Sequence, residues 1–302
     1  MRLGLRDLVD ARLATHAEQA RADAAARPVR GPGNPAELRA ARAAATPRWT
    51  DPSAVEQVVD AAGRRVAVRV LTPAGPPRGV HLDIHGGGFY LGSAAQGDAR
   101  NRRLVDALGV AVVSVEYRLA PEDPWPAAPD DCETAARWLL EHAQARFGTT
   151  RLSIGGFSAG ATLATTTLLR LRDRGGVDAF TGAVLQFGTY DLSGRTPAGR
   201  LIADEFFLRA YAGHAPDRTV PDISPVYGDL RGLPPLLLVV GGADVLLEDN
   251  MAMAVRVSAA GGDVDLRIYP DAPHAFTARP TAMADAALTD VEHWLADRVA
   301  GR

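Results

Sequence analysis

The stretch SIGGFSAGA (residues 153–161) decides the predicted fold, because its GxSxG pattern joins the end of a strand to the start of a helix. A turn this tight needs glycine wherever a Cβ would meet neighbouring backbone. Both flanking positions, Gly156 and Gly160, are glycine. One alternative is that Ser158 only caps the helix, a position that serine often fills. A dinucleotide-binding turn is disfavoured, since Phe157 stands where its second glycine would be needed.

Strand and helix patterns alternate over most of the chain. Helical patterns follow Ser158, follow Leu247 and cover residues 282–299. Near-continuous apolar strands that alternate with helices are typical of a mainly parallel sheet covered on both faces, so we predict an α/β fold. The predicted strands are RRVAVRVL (64–71), GVHLDI (79–84), GVAVVSVEY (109–117), RLSIGG (151–156), GAVLQFG (182–188), PLLLVVGG (235–242) and DVDLRIYP (263–270).

Two segments fall outside this alternation. Residues 1–50 are rich in Ala and Arg and form two helix-like pieces, the second capped by Asn34 before Pro35. Residues 193–222 carry no strand pattern. We predict that these two segments pack together over one edge of the sheet, and that residues 51–302 form the main domain.

Composition argues against several functional classes. The 302 residues are 47% hydrophobic and 23% charged, as in ordinary globular proteins, and a net charge of −3 gives no field that attracts nucleic acid. Every basic residue is arginine, so a phosphate-binding loop of the GxxxxGK[ST] type is excluded. The single Cys132 favours a reducing compartment. With neither a membrane span nor a signal-peptide pattern, we expect a cytoplasmic protein, with a homodimer among its oligomeric options.

A nucleophilic serine needs a base and a carboxylate that orients the base. Of the seven histidines, His274 lies in a predicted loop at the carboxyl end of the sheet, where Ser158 also emerges. Asp244 follows another strand on the same side. Glu248 and Asp249 lie in the next helical turn, where they suit that helix's amino-terminal dipole. The chain order of serine, aspartate and histidine is the order found in α/β hydrolases.

The stretch LDIHGGGFYLG (82–92) places three consecutive glycines after a predicted strand, namely Gly86, Gly87 and Gly88. Three glycines cost conformational entropy, which indicates a need for backbone free of side chains. If Ser158 attacks an ester carbonyl, the oxygen becomes negative and needs backbone N–H donors close by. We predict that these glycines and Ala159 supply the donors, and that His85 holds the loop by hydrogen bonding.

Five motifs then suggest a family: HGGGFY (85–90), YRLAPEDPWPAAPDD (117–131), GFSAG (156–160), SPVYGDLRGLPPLLLVVGGADVLLED (224–249) and HAF (274–276). Together they resemble the hormone-sensitive-lipase-like branch of the α/β hydrolases, which includes the bacterial family IV esterases. The resemblance implies an α/β-hydrolase fold with a mostly parallel eight-stranded sheet, and a helical cap made from residues 1–50 and 193–222. It also implies small carboxylic esters with short to medium acyl chains as substrates, and neither cofactor nor metal.

Two positions depart from the family pattern. Phe157 stands where the family usually has Asp or Thr, and Ala161 where it has Gly. An aromatic ring at position 157 would narrow or reshape the floor of the site. Arg118 and Glu122 in YRLAPE are interpreted as anchors of a turn. The candidates for the substrate pocket are aromatic: Phe89, Tyr90, Phe157, Tyr190, Phe206, Phe207 and Phe276.

Other functions remain open at this point. HLDIH places His81, Asp83 and His85 at a period of two on one face of a strand, a pattern that a metallohydrolase could use. A lyase, an acyltransferase or a binding protein could use the same fold, because fold does not fix function. A serine carboxylesterase is the main hypothesis, since all three positions of a Ser–His–Asp triad are filled.

Overall fold

Eight short runs of β-branched and other apolar residues form one sheet in this computed structural model, which describes residues 13–26, 31–45, 47, 49–203 and 205–300. The other residues of the predicted cap segments, 1–12, 27–30, 46, 48 and 204, lie outside the described part. The strands are β1 (Val55–Ala61), β2 (Arg64–Leu71), β3 (Val80–Ile84), β4 (Ala111–Glu116), β5 (Leu152–Phe157), β6 (Phe180–Gln186), β7 (Leu236–Gly241) and β8 (Val264–Tyr269).

The strand order across the sheet is β1-β2-β4-β3-β5-β6-β7-β8. β2 runs antiparallel to both of its neighbours, and every other pair is parallel. Strands β3 and β7 are buried along their whole length; β7 is accordingly apolar throughout, whereas β3 also buries the polar side chains of His81 and Asp83. The prediction of a mostly parallel eight-stranded α/β-hydrolase sheet is confirmed.

Helices cover both faces of the sheet. One apolar cluster packs α4 and α5 on one face, and a second packs α3 and α9 on the other. The helices are α1 (Ala14–Ala26), α2 (Pro35–Ala44), α3 (Asp98–Leu108), α4 (Ala127–Phe147), α5 (Ala159–Arg174), α6 (Pro197–Arg200), α7 (Phe206–Ala212), α8 (Leu247–Ala259) and α9 (Ala282–Ala300). Among the described helices, none is long and apolar enough to cross a membrane.

Strand β1 was not among the seven stretches that the residue pattern predicted. It lies at the edge of the sheet and exposes Val55 and Val58, while Val59 and Ala61 are buried. An apolar residue on the solvent side breaks the regular alternation by which a half-buried strand is recognised. Its position next to β2 gives the eighth strand that the family resemblance implied.

The two helices of the first predicted cap segment, α1 and α2, contact different parts of the domain. Asn34 caps α2 by accepting hydrogen bonds from the N–H groups of Ala36 and Glu37, and Arg42 of the same helix donates to the carbonyl of Tyr90. Helix α1 instead lies against α9 and the loop before it, where Arg21 pairs with Asp271. Helix α2 therefore lies beside the glycine loop, with α1 farther along the same rim. The division of the chain into cap and main domain stays a prediction.

Candidate active site

Ser158 sits at the sharp turn between β5 and α5, with φ 52° and ψ −124°. A positive φ is strained for a non-glycine residue, and a strained strand-to-helix turn lifts a serine hydroxyl above the sheet. The turn is held because Ser158 N–H donates to the carbonyl of Gln186 at 2.8 Å. A Cβ added to Gly160 would lie 2.0 Å from the carbonyl oxygen of Ile84, so this position requires glycine.

The side chains of Ser158, His274 and Asp244 form one hydrogen-bonded chain. The distance from His274 Nε2 to Ser158 Oγ is 3.1 Å. On the other side of the ring, His274 Nδ1 lies 3.0 Å from Asp244 Oδ2 and 3.1 Å from Oδ1. A bond from Nδ1 to a carboxylate leaves Nε2 free to accept the serine proton.

Parallel strands explain why these three residues meet. Ser158 follows β5, Asp244 follows β7 and His274 follows β8, so all three lie at the carboxyl edge of the sheet. Asp244 is buried and accepts a hydrogen bond from Leu246 N–H at 2.9 Å, which fixes the carboxylate. Glu248 is exposed on α8. The structure thus brings Asp244, rather than its acidic neighbours, to the histidine.

The glycine loop borders the serine. Gly87 and Gly88 have φ of +115° and +60°, and a Cβ on Gly87 would lie 2.2 Å from the carbonyl oxygen of Leu91. Gly87, Gly88 and Ala159 line the same cleft as Ser158. Within the described part of the chain, the N–H groups of Gly87 and Gly88 donate to no backbone carbonyl. They remain available to a negative oxygen that forms above Ser158.

A cleft of about 700 Å³ opens above Ser158. Its described lining combines the serine, the glycine loop and the histidine with small and aliphatic residues from segments that are distant in sequence. The lining residues are Gly31, Pro32, Ala41, Gly87, Gly88, Tyr90, Leu91, Phe157, Ser158, Ala159, Thr189, Leu201, Ile202, Glu205, Phe207, Val245, Leu246, His274 and Ala275.

Comparison with known proteins agrees with this geometry. A protein-family profile described as alpha/beta hydrolase fold matches residues 81–278. A solved structure of a hormone-sensitive lipase from a metagenome library superposes with a TM-score of 0.75 and 30% identity, covering 99% of each chain. The chain belongs to the hormone-sensitive-lipase-like branch of the α/β hydrolases.

Curated relatives of this α/β hydrolase carry ester-hydrolase names. Carboxylic ester hydrolase LipN of Mycobacterium tuberculosis is 34% identical over an alignment of 208 positions that covers 64% of this chain and 55% of LipN. An acetyl-hydrolase of Streptomyces hygroscopicus is 35% identical over an alignment of 201 positions that covers 64% of this chain and 66% of that protein. The chain thus spans less than two thirds of the length of either relative.

His85 lies beneath the glycine loop of the hydrolase. Its ring stacks on Tyr117 with a centroid distance of 4.0 Å, and its Nδ1 lies 2.8 Å from the carbonyl oxygen of Gly86. Burial lowers the pKa of His85 to about 4, so the ring is neutral at pH 7. Gly86 lies against the Phe157 ring and is absent from the described cleft lining. His85 therefore supports the loop from below.

Only part of the predicted aromatic pocket lies at the cleft. Tyr90, Phe157 and Phe207 line it. The structure does not bring the other four aromatic candidates there. Phe89 stacks on Tyr211 in the core, and Tyr190 and Phe276 are buried. Phe206 packs edge-on against Tyr90, with ring centroids 6.1 Å apart. The prediction that these four residues line the substrate pocket is therefore corrected. Burying a large aromatic ring contributes a large favourable free energy, so an aromatic residue is often in the core. Residue type alone therefore could not distinguish core rings from pocket rings.

Sequence reasoning missed the aliphatic part of the lining. Leu201 and Ile202 reach the cleft from the insertion, and Val245 and Leu246 follow Asp244. For Val245 and Leu246, their position next to Asp244 in the sequence could have indicated a place in the site. For Leu201 and Ile202, the sequence contains no such indication. Leu201 and Val245 are exposed, as expected of apolar residues at a cleft mouth.

Phe157, one of the two departures from the family pattern, contacts both the glycine loop and a partly buried ion pair. A Cβ on Gly86 would lie 2.6 Å from the Phe157 ring. On another side, the Cζ atom of Arg100 lies 4.5 Å from the ring centroid, within cation–π range. Arg100 in turn donates to Asp83 at 2.8 Å. Ala161, the second departure, is fully buried on α5.

The metal hypothesis finds little support in these contacts. His81 Nδ1 bonds to Ser153 Oγ at 2.9 Å, and Asp83 accepts hydrogen bonds from Arg100 and Asn101. Within the described residues, no three histidine, cysteine or acidic side chains are grouped as a metal site would require. The side chains of HLDIH are thus engaged in separate protein contacts.

Arg118 and Glu122 of the YRLAPE segment make contacts away from the cleft. Arg118 binds Asp131 through its backbone N–H and its guanidinium, at 2.8 to 2.9 Å. Glu122 pairs with Arg42 of α2 at 2.9 Å. Neither residue belongs to the described cleft lining. The pairs fasten the turn to α4 and α2, which agrees with a structural role.

Proposed function

We propose that this protein is a serine carboxylesterase that hydrolyses carboxylic esters with short to medium acyl chains. The observation that carries the proposal is the chain from Asp244 through His274 to Ser158, which faces the free N–H groups of Gly87 and Gly88. The names of the relatives and the aliphatic lining of the cleft support an ester with an apolar acyl group.

The geometry suggests a two-step reaction. Ser158 Oγ attacks the ester carbonyl carbon while His274 Nε2 takes the serine proton. The carbonyl oxygen becomes negative and accepts hydrogen bonds from Gly87, Gly88 and Ala159. When the tetrahedral intermediate collapses, the carbon–oxygen bond to the alcohol breaks and His274 returns the proton to that alcohol. The acyl group is then bound to Ser158.

Water completes the reaction. His274 removes a proton from a water molecule, which attacks the acyl-enzyme, and a second tetrahedral intermediate releases the carboxylic acid and restores the serine hydroxyl. Throughout both steps Asp244 orients the imidazole and stabilises it when it is protonated. An acyltransferase would pass the same acyl group to an acceptor other than water, so product analysis with added alcohols distinguishes the two outcomes.

The test is Ser158→Ala together with active-site labelling. Because the triad acts as a unit, the variant should lose roughly 10⁶-fold in kcat on p-nitrophenyl butyrate. A fluorophosphonate should label the wild-type protein on the peptide that contains Ser158 and should not label the variant. Near-normal turnover by a folded Ser158→Ala variant, or labelling at a different residue, would overturn the proposal.

Location and assembly remain predictions. The single cysteine, which is buried, supports a reducing compartment and hence a cytoplasmic location. The net charge of −3 supports the expectation that nucleic acid is not a partner. The homodimer option can be measured directly by sedimentation.

A further inference from the structure

Glu205 gives the cleft a negative charge on the side of the insertion. Apart from His274, it is the one side chain in the described lining that can carry a charge. The side chain is exposed, and within the described part of the chain no hydrogen bond or ion pair engages its carboxylate. An unpaired carboxylate at a cleft mouth can pair with a charge that a ligand brings in.

Aromatic rings line the same cleft as this carboxylate. Tyr90 and Phe207 line the same cleft, with ring centroids 6.2 Å apart, and Phe206 packs edge-on against Tyr90. Burial, together with the negative charges of Glu205 and Glu37, raises the pKa of Tyr90 to about 12. The field of the carboxylate therefore reaches the rings, whose faces also attract cations.

In the described part of the chain, three arginines lie near aromatic rings at or beside the cleft, and none of them is free: Arg42, Arg100 and Arg209, whose Cζ atom lies 6.0 Å from the Phe206 ring centroid. Arg42 donates to the carbonyl oxygens of Tyr90 and Ala120 and pairs with Glu122. Arg100 lies over Phe157 and pairs with Asp83. None of the three arginines belongs to the described lining, so Glu205 is the charged side chain that the insertion presents to the cleft itself.

We propose that the cleft selects esters that carry a cationic group, either a quaternary ammonium or a protonated amine, and that Glu205 with the rings of Tyr90 and Phe207 determines this selectivity. The proposal rests on the proposed esterase function and names its substrate class. A carboxylate beside aromatic faces is the arrangement that binds quaternary ammonium ions, because ring quadrupole and anion both attract the charge.

The test compares isosteric esters that differ only in charge. In the first pair, butyrylcholine is compared with the neutral ester in which a carbon atom replaces the quaternary nitrogen. This pair varies the charge on the alcohol part of the ester. The p-nitrophenyl ester of trimethylammoniobutyrate and its carbon isostere vary the charge on the acyl group. Because the members of a pair have nearly the same shape, and the inductive effect of the cation on ester reactivity is the same for every variant, the change in the ratio of their kcat/KM values when Glu205 is replaced reports charge recognition. The pair with the larger change identifies the group that lies near Glu205.

At low ionic strength, the wild-type protein should prefer the cationic member of at least one pair by roughly five- to tenfold, the combined effect of an exposed ion pair and a cation–π contact. The preference should fall in high salt, which screens exposed charges. In Glu205→Gln the ratio should fall to about twofold, the share of the rings. In Glu205→Lys the neutral ester should be the better substrate.

Glu141→Gln is the matched control, since Glu141 is an exposed carboxylate on α4 and lies outside the described lining. It removes one negative charge from the protein and should leave the ratio at its wild-type value. A wild-type ratio near one in both pairs, or a ratio that Glu205→Gln does not change, would overturn the charge selectivity. If no ester is hydrolysed in a Ser158-dependent way, the proposed esterase function fails instead.

Discussion

At the serine edge of the sheet (residues 84–88 and 156–160), backbone meets backbone. A Cβ on Gly156 would lie 2.5 Å from the carbonyl carbon of Gly160, and a Cβ on Gly160 would lie 2.0 Å from the carbonyl oxygen of Ile84. At the cap side of the cleft (residues 31–45 and 201–207), side chains make the contacts instead, as where the rings of Phe206 and Tyr90 pack edge-on with centroids 6.1 Å apart. Backbone contacts dictate the residue type, whereas side-chain contacts can be made by many residues. We therefore expect the serine edge to tolerate almost no substitution and the cap side to vary with substrate.

Gly160→Ala is the strongest test of this contrast. The added methyl group would collide with the carbonyl oxygens of Ile84 and His85, neither of which belongs to a flexible side chain. The turn must shift, and a displacement of about 1 Å at a catalytic group can cost roughly 100-fold in rate. We expect at least that loss in kcat/KM for p-nitrophenyl butyrate, with about 2 kcal/mol lost in the free energy of unfolding.

Gly75→Ala is the control for that substitution. A Cβ at Gly75 would have no heavy atom within 4 Å, so activity and stability should stay at their wild-type values. A fully active Gly160→Ala variant would mean that the backbone of the serine edge can move to accommodate a Cβ without loss of catalytic geometry. The contrast between the two regions would then disappear.

Helix α8, which follows the strand that positions Asp244, contains a buried acidic group whose charge lowers the stability of the folded protein. Asp249 accepts hydrogen bonds from the N–H groups of Tyr190 and Asp191, and burial raises its pKa from 3.8 to about 7. Between these two values the folded protein holds more protons than the unfolded chain. The contribution of Asp249 to stability is therefore present at low pH and is lost as the pH rises from about 4 to 7.

Asp249→Asn keeps an acceptor oxygen for both amides but removes the charge. The difference in unfolding free energy between the variant and the wild-type protein should grow by about 2 kcal/mol, in favour of the variant, from pH 5 to pH 8. Urea denaturation at both pH values measures this difference. Glu141→Gln, which changes an exposed carboxylate on α4 that does not contribute to the pKa shift of Asp249, should show the same offset at both pH values. Equal offsets for Asp249→Asn would show that the buried group does not titrate in this range.

The contrast also explains what the sequence could predict. The glycines around Ser158, and the order of Ser158, Asp244 and His274 along the chain, follow from steric and topological rules, so the site could be located from residue types. Strand β1 escaped prediction because its exposed Val55 and Val58 break the alternation of a half-buried strand. Whether such an exposed segment forms a strand depends on its pairing with the neighbouring strand, which the local sequence does not show.

The residues that line the cleft on the cap side could not be predicted from residue types in the same way. Phe89, Tyr190 and Phe276 are buried in the core, where aromatic rings gain most from burial. Leu201 and Ile202 line the cleft although nothing in their local sequence distinguishes them from core leucine and isoleucine. The composition of the cleft depends on how distant segments fold together, which has no short-range signature.

Leu201→Ala gives the smallest expected effect and tests the cap side. The side chain lines the cleft and is 62% exposed, so its removal leaves little empty space in the core, and stability should change by no more than about 0.5 kcal/mol. An ester long enough to contact Leu201 loses part of its apolar contact, so kcat/KM should fall roughly two- to fivefold for p-nitrophenyl hexanoate. Turnover of p-nitrophenyl acetate, which has one acyl methyl group, should change less. Equal losses for both esters would instead mean that Leu201 supports the serine edge, because a displaced catalytic group slows every substrate alike.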